Sequence, residues 1–138
     1  LIDEFKHKSS LIAIRLSKET ASTIKNEKAK HLMSRTVARL LLKTSRRSDI
    51  VAHYGEGVFA IVLKHTDIES AKRASERLYD LVASSNFFLA QQEIQLRIAI
   101  GVAELNAAVN VEQTLLCALN AMESADNDPL AHYNICNP

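Results

Sequence analysis

The stretch that decides the fold is DIVAHYGEGVFAIVL, residues 49–63. Asp49 to His53 and Val58 to Leu63 are rich in β-branched and apolar residues, which favours two strands. Gly55 and Gly57 lie between them, where a chain that reverses direction needs residues that tolerate positive φ. The stretch therefore predicts a β-hairpin, and a hairpin makes the strand pairing antiparallel at this point of the sheet.

Strands and helices alternate on either side of this hairpin. Leu11 to Leu16 is a short apolar run typical of a central strand, and Ile94 to Val102 alternates in a way that predicts one long strand with one buried and one mixed face. Ser17 to Lys30 predicts a helix with a weak apolar face. Three further helices are predicted from apolar residues at helical spacing: Met33, Val37, Leu40 and Leu41; Ile68, Ala71, Ala74, Leu78, Leu81 and Val82; and Val111, Leu115, Leu119 and Met122.

Two polar patterns indicate where helices begin. Thr66 with Glu69 has the spacing of a capping box, and Asn110 is followed by Gln113 at the same spacing. Ala131 to Cys136 is predicted to be a final edge strand. The resulting order, β-α-α-β-β-α-β-α-β, indicates an α+β fold with helices around a mostly antiparallel sheet.

Composition indicates an ordinary soluble domain. The 138 residues are 47% hydrophobic and 24% charged, with a net charge of +1, so there is no strong electrostatic attraction to nucleic acid or membrane. One domain, 1–138, is the simplest organisation. Because the chain begins at Leu1 rather than Met, we expect it to be a fragment of a longer multidomain protein.

The two cysteines show no metal-ligand spacing. Cys117 lies within an apolar helical run, which predicts a buried, reduced thiol rather than a bonded one. The histidines at 7, 31, 65 and 132 show no ligand spacing either, so no metal site is predicted.

Residues 46–63 resemble the centre of a GGDEF domain, the domain of diguanylate cyclases. In that family an RxxD motif precedes a strand, an Arg-Tyr pair, the signature hairpin and an apolar strand. Here the signature pentapeptide is GEGVF, residues 55–59. The resemblance extends over nearly the whole chain and implies a palm-like fold, as in adenylyl cyclases. The other matching segments are Leu11 to Leu16, Val37 to Leu40, Ile98 to Ala103 and Leu115 to Ala125.

The same resemblance implies that cyclic di-GMP synthesis is lost. Active members hold two divalent cations on an Asp at the end of the first strand and on an acidic residue in the hairpin, because hard cations need carboxylate oxygens. The corresponding residues here are Arg15, Gly57 and Val58. Glu56 is a neighbouring carboxylate, but a shift of one residue along a strand turns a side chain to the other face. We therefore expect no enzyme activity and no cofactor.

Other positions agree with this loss. The guanine-contacting Asn and Asp of the family fall near Thr23 and His31, and the phosphate-binding Lys of the last helix falls at Asp126. An aspartate there would repel a phosphate.

A second family feature is retained. Many GGDEF proteins bind cyclic di-GMP at an inhibitory site marked by RxxD and an Arg from the following helix, and Arg46, Asp49 and Arg77 match these positions. Arginine presents a planar fork to guanine O6 and N7 and binds phosphate, and an ionised Asp accepts from guanine N–H groups. Arg47 and Arg73 are possible helpers.

A purely structural role remains open for these residues. RxxD is short and occurs by chance. Arg46 is also suited to a helix C-terminus, Asp49 to a loop cap, and Arg77 to a solvated helix face.

Two functions follow as hypotheses. The first is a catalytically inactive receptor that binds cyclic di-GMP and regulates an adjoining domain or a signalling partner, in control of exopolysaccharide secretion, adhesion or motility. The alternative is a regulatory domain that dimerises or binds GTP beside an EAL phosphodiesterase. In both we expect a bacterial cytoplasmic domain, of a parent protein that is either soluble or anchored in the membrane, with no contact to nucleic acid or to the membrane by this segment.

Overall fold

The computed structural model describes residues 8–55, 57–106 and 110–136. Within these ranges the chain forms seven strands and four helices. The strands are β1 Ser9–Leu16, β2 Ile50–His53, β3 Val58–Leu63, β4 Asn86–Leu89, β5 Gln92–Gln95, β6 Ile98–Leu105 and β7 Asn134–Cys136. The helices are α1 Lys18–Ser22, α2 Glu27–Thr44, α3 Ile68–Ala83 and α4 Val111–Asp126.

Five strands form the central sheet in the order β2-β3-β1-β6-β7. Every neighbouring pair is antiparallel except β6 and β7, which are parallel. The hairpin predicted from Gly55 and Gly57 joins β2 to β3, and both glycines have φ near +67°. The prediction of an α+β fold with a mostly antiparallel sheet is confirmed.

Helices cover both faces of the sheet. On one face, α2 and α3 pack through Met33 and Leu78 onto large side chains of the sheet such as Ile12. On the other face, α4 packs onto small side chains, among them Ala13 and Ala99. At Gly101 the helix backbone lies so close that any Cβ would collide with backbone atoms of Ala118 and Met122. The small residues of β1 and β6 therefore let α4 lie directly on the sheet.

The prediction of one long strand from Ile94 to Val102 is wrong, because the segment belongs to two strands of different sheets. Its first part is β5, which pairs with β4 in a separate two-stranded sheet, and its last part belongs to β6. Between them, Arg97 bonds to the beginning of α1: its N–H donates to Thr20 Oγ1 (3.2 Å) and its carbonyl accepts from Ser17 N (2.8 Å). The predicted mixed face of β6 is buried by α4.

The helix boundaries differ from two predictions. The segment from Ser17 to Lys30 is interrupted, because Asn26 caps a new helix by accepting from the backbone N–H of Lys28 and Ala29. The helix α3 begins one residue later than the Thr66 capping box predicts, since Asp67 accepts from Ser70 N. That hydrogen bond lowers the pKa of Asp67. The cap predicted at Asn110 is confirmed.

The prediction of a reduced Cys117 is also corrected. Cys117 on α4 forms a disulfide with Cys136 on β7, with the two Cα atoms 5.5 Å apart. Strand β7 is the short parallel edge strand, and it packs against α4. The sheet topology thus brings together two cysteines that are 19 residues apart.

No helix in the described part of the chain is long and apolar enough to cross a membrane.

Candidate functional site

The RxxD motif lies in a tight turn between α2 and β2. Helix α2 ends at Thr44, and the backbone N–H of Asp49 donates to the carbonyl of Arg46 (3.0 Å), one residue before β2 begins. In return, Asp49 Oδ2 accepts from the backbone N–H of Arg46 (2.8 Å). The turn therefore holds the two motif side chains next to each other.

The guanidinium of Arg46 is held by several acceptors. Its Nε and Nη2 donate to Asp49 Oδ1 (3.2 and 3.0 Å), and Nη2 also donates to Thr66 Oγ1 (2.8 Å). A longer bond runs from Nη2 to the carbonyl of Lys64 (3.4 Å). The Asp49 side chain is only 4% exposed, whereas that of Arg46 is 55% exposed. Asp49 thus orients a guanidinium that still faces solvent.

A cavity of about 540 Å³ lies beside this pair. Its floor is apolar and includes Leu41, Ile61 and Leu78, and Arg46 and Asp49 lie among the residues that line it. Cavities of 300–1,000 Å³ with an apolar lining and a few polar groups are typical of small-molecule sites. The remaining lining residues are Ile12, Thr44, Ser45, Leu63, His65, Thr66, Ser70, Ala74, Arg77 and Leu81.

Arg77 is the third predicted site residue and lines the same cavity from α3. It is exposed and makes no hydrogen bond or ion pair with any residue that the structure describes. The two predicted helpers lie elsewhere. Arg47 and Arg73 are exposed and do not line the cavity, and Arg73 donates to Ser70 Oγ (3.0 Å). The structure therefore brings together Arg46, Asp49 and Arg77, without the helpers.

A second group of charges lies where the sequence predicts lost metal ligands. Arg15 at the end of β1 is directly opposite Val58, the first residue of β3. The Arg15 guanidinium forms ion pairs with Glu123 and with Asp126, the latter at 2.8 Å, both from α4. Asp126 is 2% exposed and also accepts from the backbone N–H of Lys18 (3.1 Å). The cation and anion at these two replaced positions therefore neutralise each other.

Removal of Arg15 is expected to destabilise the fold. Arg15→Ala leaves the buried Asp126 carboxylate without its cationic partner, which we expect to cost about 2 kcal/mol of unfolding free energy. Urea denaturation measures this loss. Lys18→Met is the matched control: its Nζ lies 3.8 Å from Glu123 in an exposed pair, so it should change the free energy by less than about 0.5 kcal/mol. Equal losses in both variants would contradict a special role for Arg15.

The remaining positions implied by the resemblance are not brought together. Thr23 ends α1 and lines a second cavity of about 460 Å³, whereas His31 is exposed on α2 and does not line it. Glu56, the neighbouring carboxylate, lies outside the described residues.

One group of side chains was not predicted. His132 Nδ1 lies 2.9 Å from Glu76 Oε2, the His132 ring stacks on Tyr79 with centroids 4.0 Å apart, and Asp80 is nearby. Helical spacing places Glu76 and Asp80 on one face of α3, but His132 is distant in sequence and gives no signal. The contacts are those of a partly exposed hydrogen bond beside a ring stack.

Comparisons with known proteins agree with this fold. The sequence profile of the family described as "Diguanylate cyclase, GGDEF domain" matches residues 26–130. A search of curated proteins finds no match.

Among solved structures, the GGDEF domain of DgcB from Caulobacter crescentus, in complex with c-di-GMP, has a TM-score of 0.81 at 14% identity, over 96% of this chain and 79% of that one. The active GGEEF domain of a diguanylate cyclase from Vibrio cholerae has a TM-score of 0.77 at 18% identity, over 97% and 84%. Diguanylate cyclase SiaD from Pseudomonas aeruginosa, in complex with its activator SiaC, has a TM-score of 0.80 at 19% identity, over 94% of this chain. This chain spans about half of SiaD, 49%.

Proposed function

This chain belongs to the GGDEF domain family, and from that premise we propose that it is a cyclic di-GMP receptor that does not synthesise cyclic di-GMP. The observation that carries the proposal is that Arg46, Asp49 and Arg77 line one cavity, although they come from a turn and from the helix that follows the β2–β3 hairpin. A chance RxxD pattern gives no reason for an exposed Arg77 on α3 to lie at the same cavity.

The ligand suits this arrangement chemically. Cyclic di-GMP has two phosphates and two guanines, and two exposed arginines can supply charge-assisted bonds to phosphate or a fork to guanine O6 and N7. The apolar floor of the cavity offers a surface against which a base can be desolvated. Asp49 contributes by orienting Arg46 and by the acceptor site that Oδ2 retains, since a carboxylate accepts about four hydrogen bonds.

The direct test is calorimetric titration of the domain with cyclic di-GMP and, separately, with GTP. The proposal expects micromolar binding of cyclic di-GMP and weaker binding of GTP, because GTP lacks the second guanine and the cyclic backbone that would engage both arginines. Absence of cyclic di-GMP binding ends the receptor proposal. Tighter binding of GTP would instead favour the regulatory domain that acts through the former active cleft.

The catalytic part of the proposal rests on Arg15 and Val58. A guanidinium and an isopropyl group face each other where a metal-binding site requires carboxylates, and the nearby carboxylates of Glu123 and Asp126 are already paired with Arg15. Among the residues that the structure describes at these positions, no unpaired carboxylate is left to hold the two metal ions of phosphoryl transfer.

We therefore expect no cyclic di-GMP from GTP in the presence of Mg²⁺ or Mn²⁺. Chromatography of the reaction mixture after prolonged incubation measures the product, and the active Vibrio cholerae domain under the same conditions is the positive control. Any product that accumulates in proportion to the concentration of this domain contradicts the proposed inactivity.

The output of the receptor is regulatory in this proposal. Ligand bound across the α2–β2 turn and α3 fixes these elements relative to each other, and a neighbouring domain or a signalling partner that contacts them reads the change. We place the domain in the bacterial cytoplasm as part of the same proposal. Exopolysaccharide secretion, adhesion and motility are the outputs to examine first.

A further inference from the structure

Thr66 connects the turn of the RxxD motif to the rest of the fold. It lies between β3 and α3 and is only 6% exposed. It does not cap α3, because Asp67 does so. Its hydroxyl is therefore available for another contact.

The Thr66 hydroxyl donates one hydrogen bond and accepts another, and each role belongs to a defined partner. Thr66 Oγ1 donates to the carbonyl of Lys64 (3.0 Å), and a hydroxyl has only one proton to donate. Toward the Arg46 Nη2 atom, 2.8 Å away, the oxygen acts as an acceptor. This matches a guanidinium, which only donates. The Thr66 carbonyl in turn accepts from the buried Ser10 Oγ (2.9 Å) at the start of β1.

We propose that Thr66 is a positioning residue for Arg46. This inference depends on the proposed cyclic di-GMP site. The guanidinium extends from the end of α2 to the β3–α3 connection, where Thr66 supplies an acceptor from outside the turn. Arginine side chains have a large rotamer entropy, so an arginine already held in place loses less of it on binding ligand. Thr66, which also lines the cavity, thereby raises ligand affinity through Arg46.

Thr66→Val tests this directly, because valine keeps the branched shape and removes the acceptor. We expect the affinity for cyclic di-GMP, measured by calorimetry, to fall about tenfold, which corresponds to about 1.4 kcal/mol. Thr66→Ser keeps the hydroxyl and should bind within about twofold of the wild type, since one lost methyl group leaves the hydrogen bond in place. Thr36→Val, the same change at a hydroxyl that bonds to Leu32 on α2, is the control and should not change affinity.

A second measurement separates positioning from packing. Nitrogen-15 NMR of the Arg46 Nε–H group should show faster hydrogen exchange in Thr66→Val than in the wild type and Thr66→Ser. Thr66→Ala gives the same comparison if the valine variant does not fold. Equal affinity loss in the Ser and Val variants, or an unchanged Arg46 signal in Thr66→Val, overturns the inference.

The outcomes also distinguish this inference from the proposed function. If wild type does not bind cyclic di-GMP, the receptor proposal fails. If wild type binds, Arg46→Ala does not, and Thr66→Val binds like wild type, only the positioning role of Thr66 is wrong.

Discussion

Arg46→Ala is expected to weaken cyclic di-GMP binding about a hundredfold, which corresponds to about 2.7 kcal/mol. Two physical effects add. The variant loses the charge-assisted bonds of the guanidinium to phosphate or guanine, worth about 1–3 kcal/mol for a bidentate contact. It also leaves the Asp49 carboxylate, 4% exposed, with only the backbone N–H of residue 46 as its partner in the turn. Calorimetric titration of both proteins measures the ratio of affinities.

Arg47→Ala is the matched control for this change. It removes the same charge from the next residue of the same turn, but Arg47 is exposed and does not line the cavity. The affinity of the Arg47→Ala variant for cyclic di-GMP should stay within about threefold of the wild type, as expected for a change in the long-range electrostatic field alone. If Arg47→Ala and Arg46→Ala weaken binding equally, general electrostatics rather than the motif explains the binding.

A second variant separates loss of the contact from loss of structure as the cause of weak binding in Arg46→Ala. Arg46→Lys keeps the positive charge and loses the fork, so we expect affinity between those of the wild type and the alanine variant. Thermal melts of both variants establish that they are folded. An Arg46→Lys protein that is folded and binds as tightly as the wild type contradicts bidentate recognition by Arg46.

The elements that sequence predicts well depend on local signals. The sequence predicts the β2–β3 hairpin because Gly55 and Gly57 occupy positions that need positive φ. It does not predict the β4–β5 hairpin for the converse reason: the turn has Ala90 and Gln91 at positive φ, and neither residue type signals a turn.

Contacts between distant segments are the part that sequence does not predict. Thr66 has the local spacing of a helix cap, and only the fold shows that its hydroxyl accepts from Arg46, 20 residues away in sequence. Arg15 and Asp126 each replace a functional residue of the family, and the sequence does not show that they form an ion pair across 111 residues. The cavity at Arg46 cannot be predicted from the sequence either, because α2, β3 and α3 form it together.

The candidate site itself was predictable only through the family resemblance. The spacing of Arg46 and Asp49 fixes them in one turn, but nothing local links them to Arg77. The expected helpers Arg47 and Arg73 show the limit of proximity in sequence. Arg47 is the next residue of the turn after Arg46, yet it does not line the cavity. Arg73 lies one helical turn before Arg77 on the same face of α3, yet it does not line the cavity either.

The Cys117–Cys136 disulfide leads to the second large effect. The bond joins α4 to the three-residue strand β7 and closes a loop between residues 19 apart. A loop of this length constrains the unfolded chain enough to contribute about 3 kcal/mol to the free energy of unfolding. We therefore expect reduction to lower the melting temperature by about 10 °C for a domain of this size.

Denaturation with and without a reductant measures this effect, and Cys136→Ser supplies the control. The free energy of unfolding of the serine variant should equal that of the reduced wild type, and adding the reductant should not change it. Hydrogen exchange should increase first in β7, because the remaining backbone pairing to β6 is short and lies at the sheet edge. Two reactive thiols in the unreduced protein would show that the bond does not form, and equal stability in both states would show that it does not stabilise the fold.

The same bond tests the proposed cytoplasmic location, because glutathione and thioredoxin keep most cytosolic thiols reduced. Thiol trapping of the domain from intact cells should therefore find Cys117 and Cys136 reduced, and the domain about 3 kcal/mol less stable than the oxidised form. Cyclic di-GMP stabilises a folded receptor by mass action, by about 2.7 kcal/mol at a hundred times its dissociation constant. The ligand would then offset nearly all of the stability lost with the disulfide, so the reduced domain should show the larger change in folded fraction when cyclic di-GMP is added. If the trapped protein contains the Cys117–Cys136 disulfide, the expected reduced state in the cytosol is contradicted.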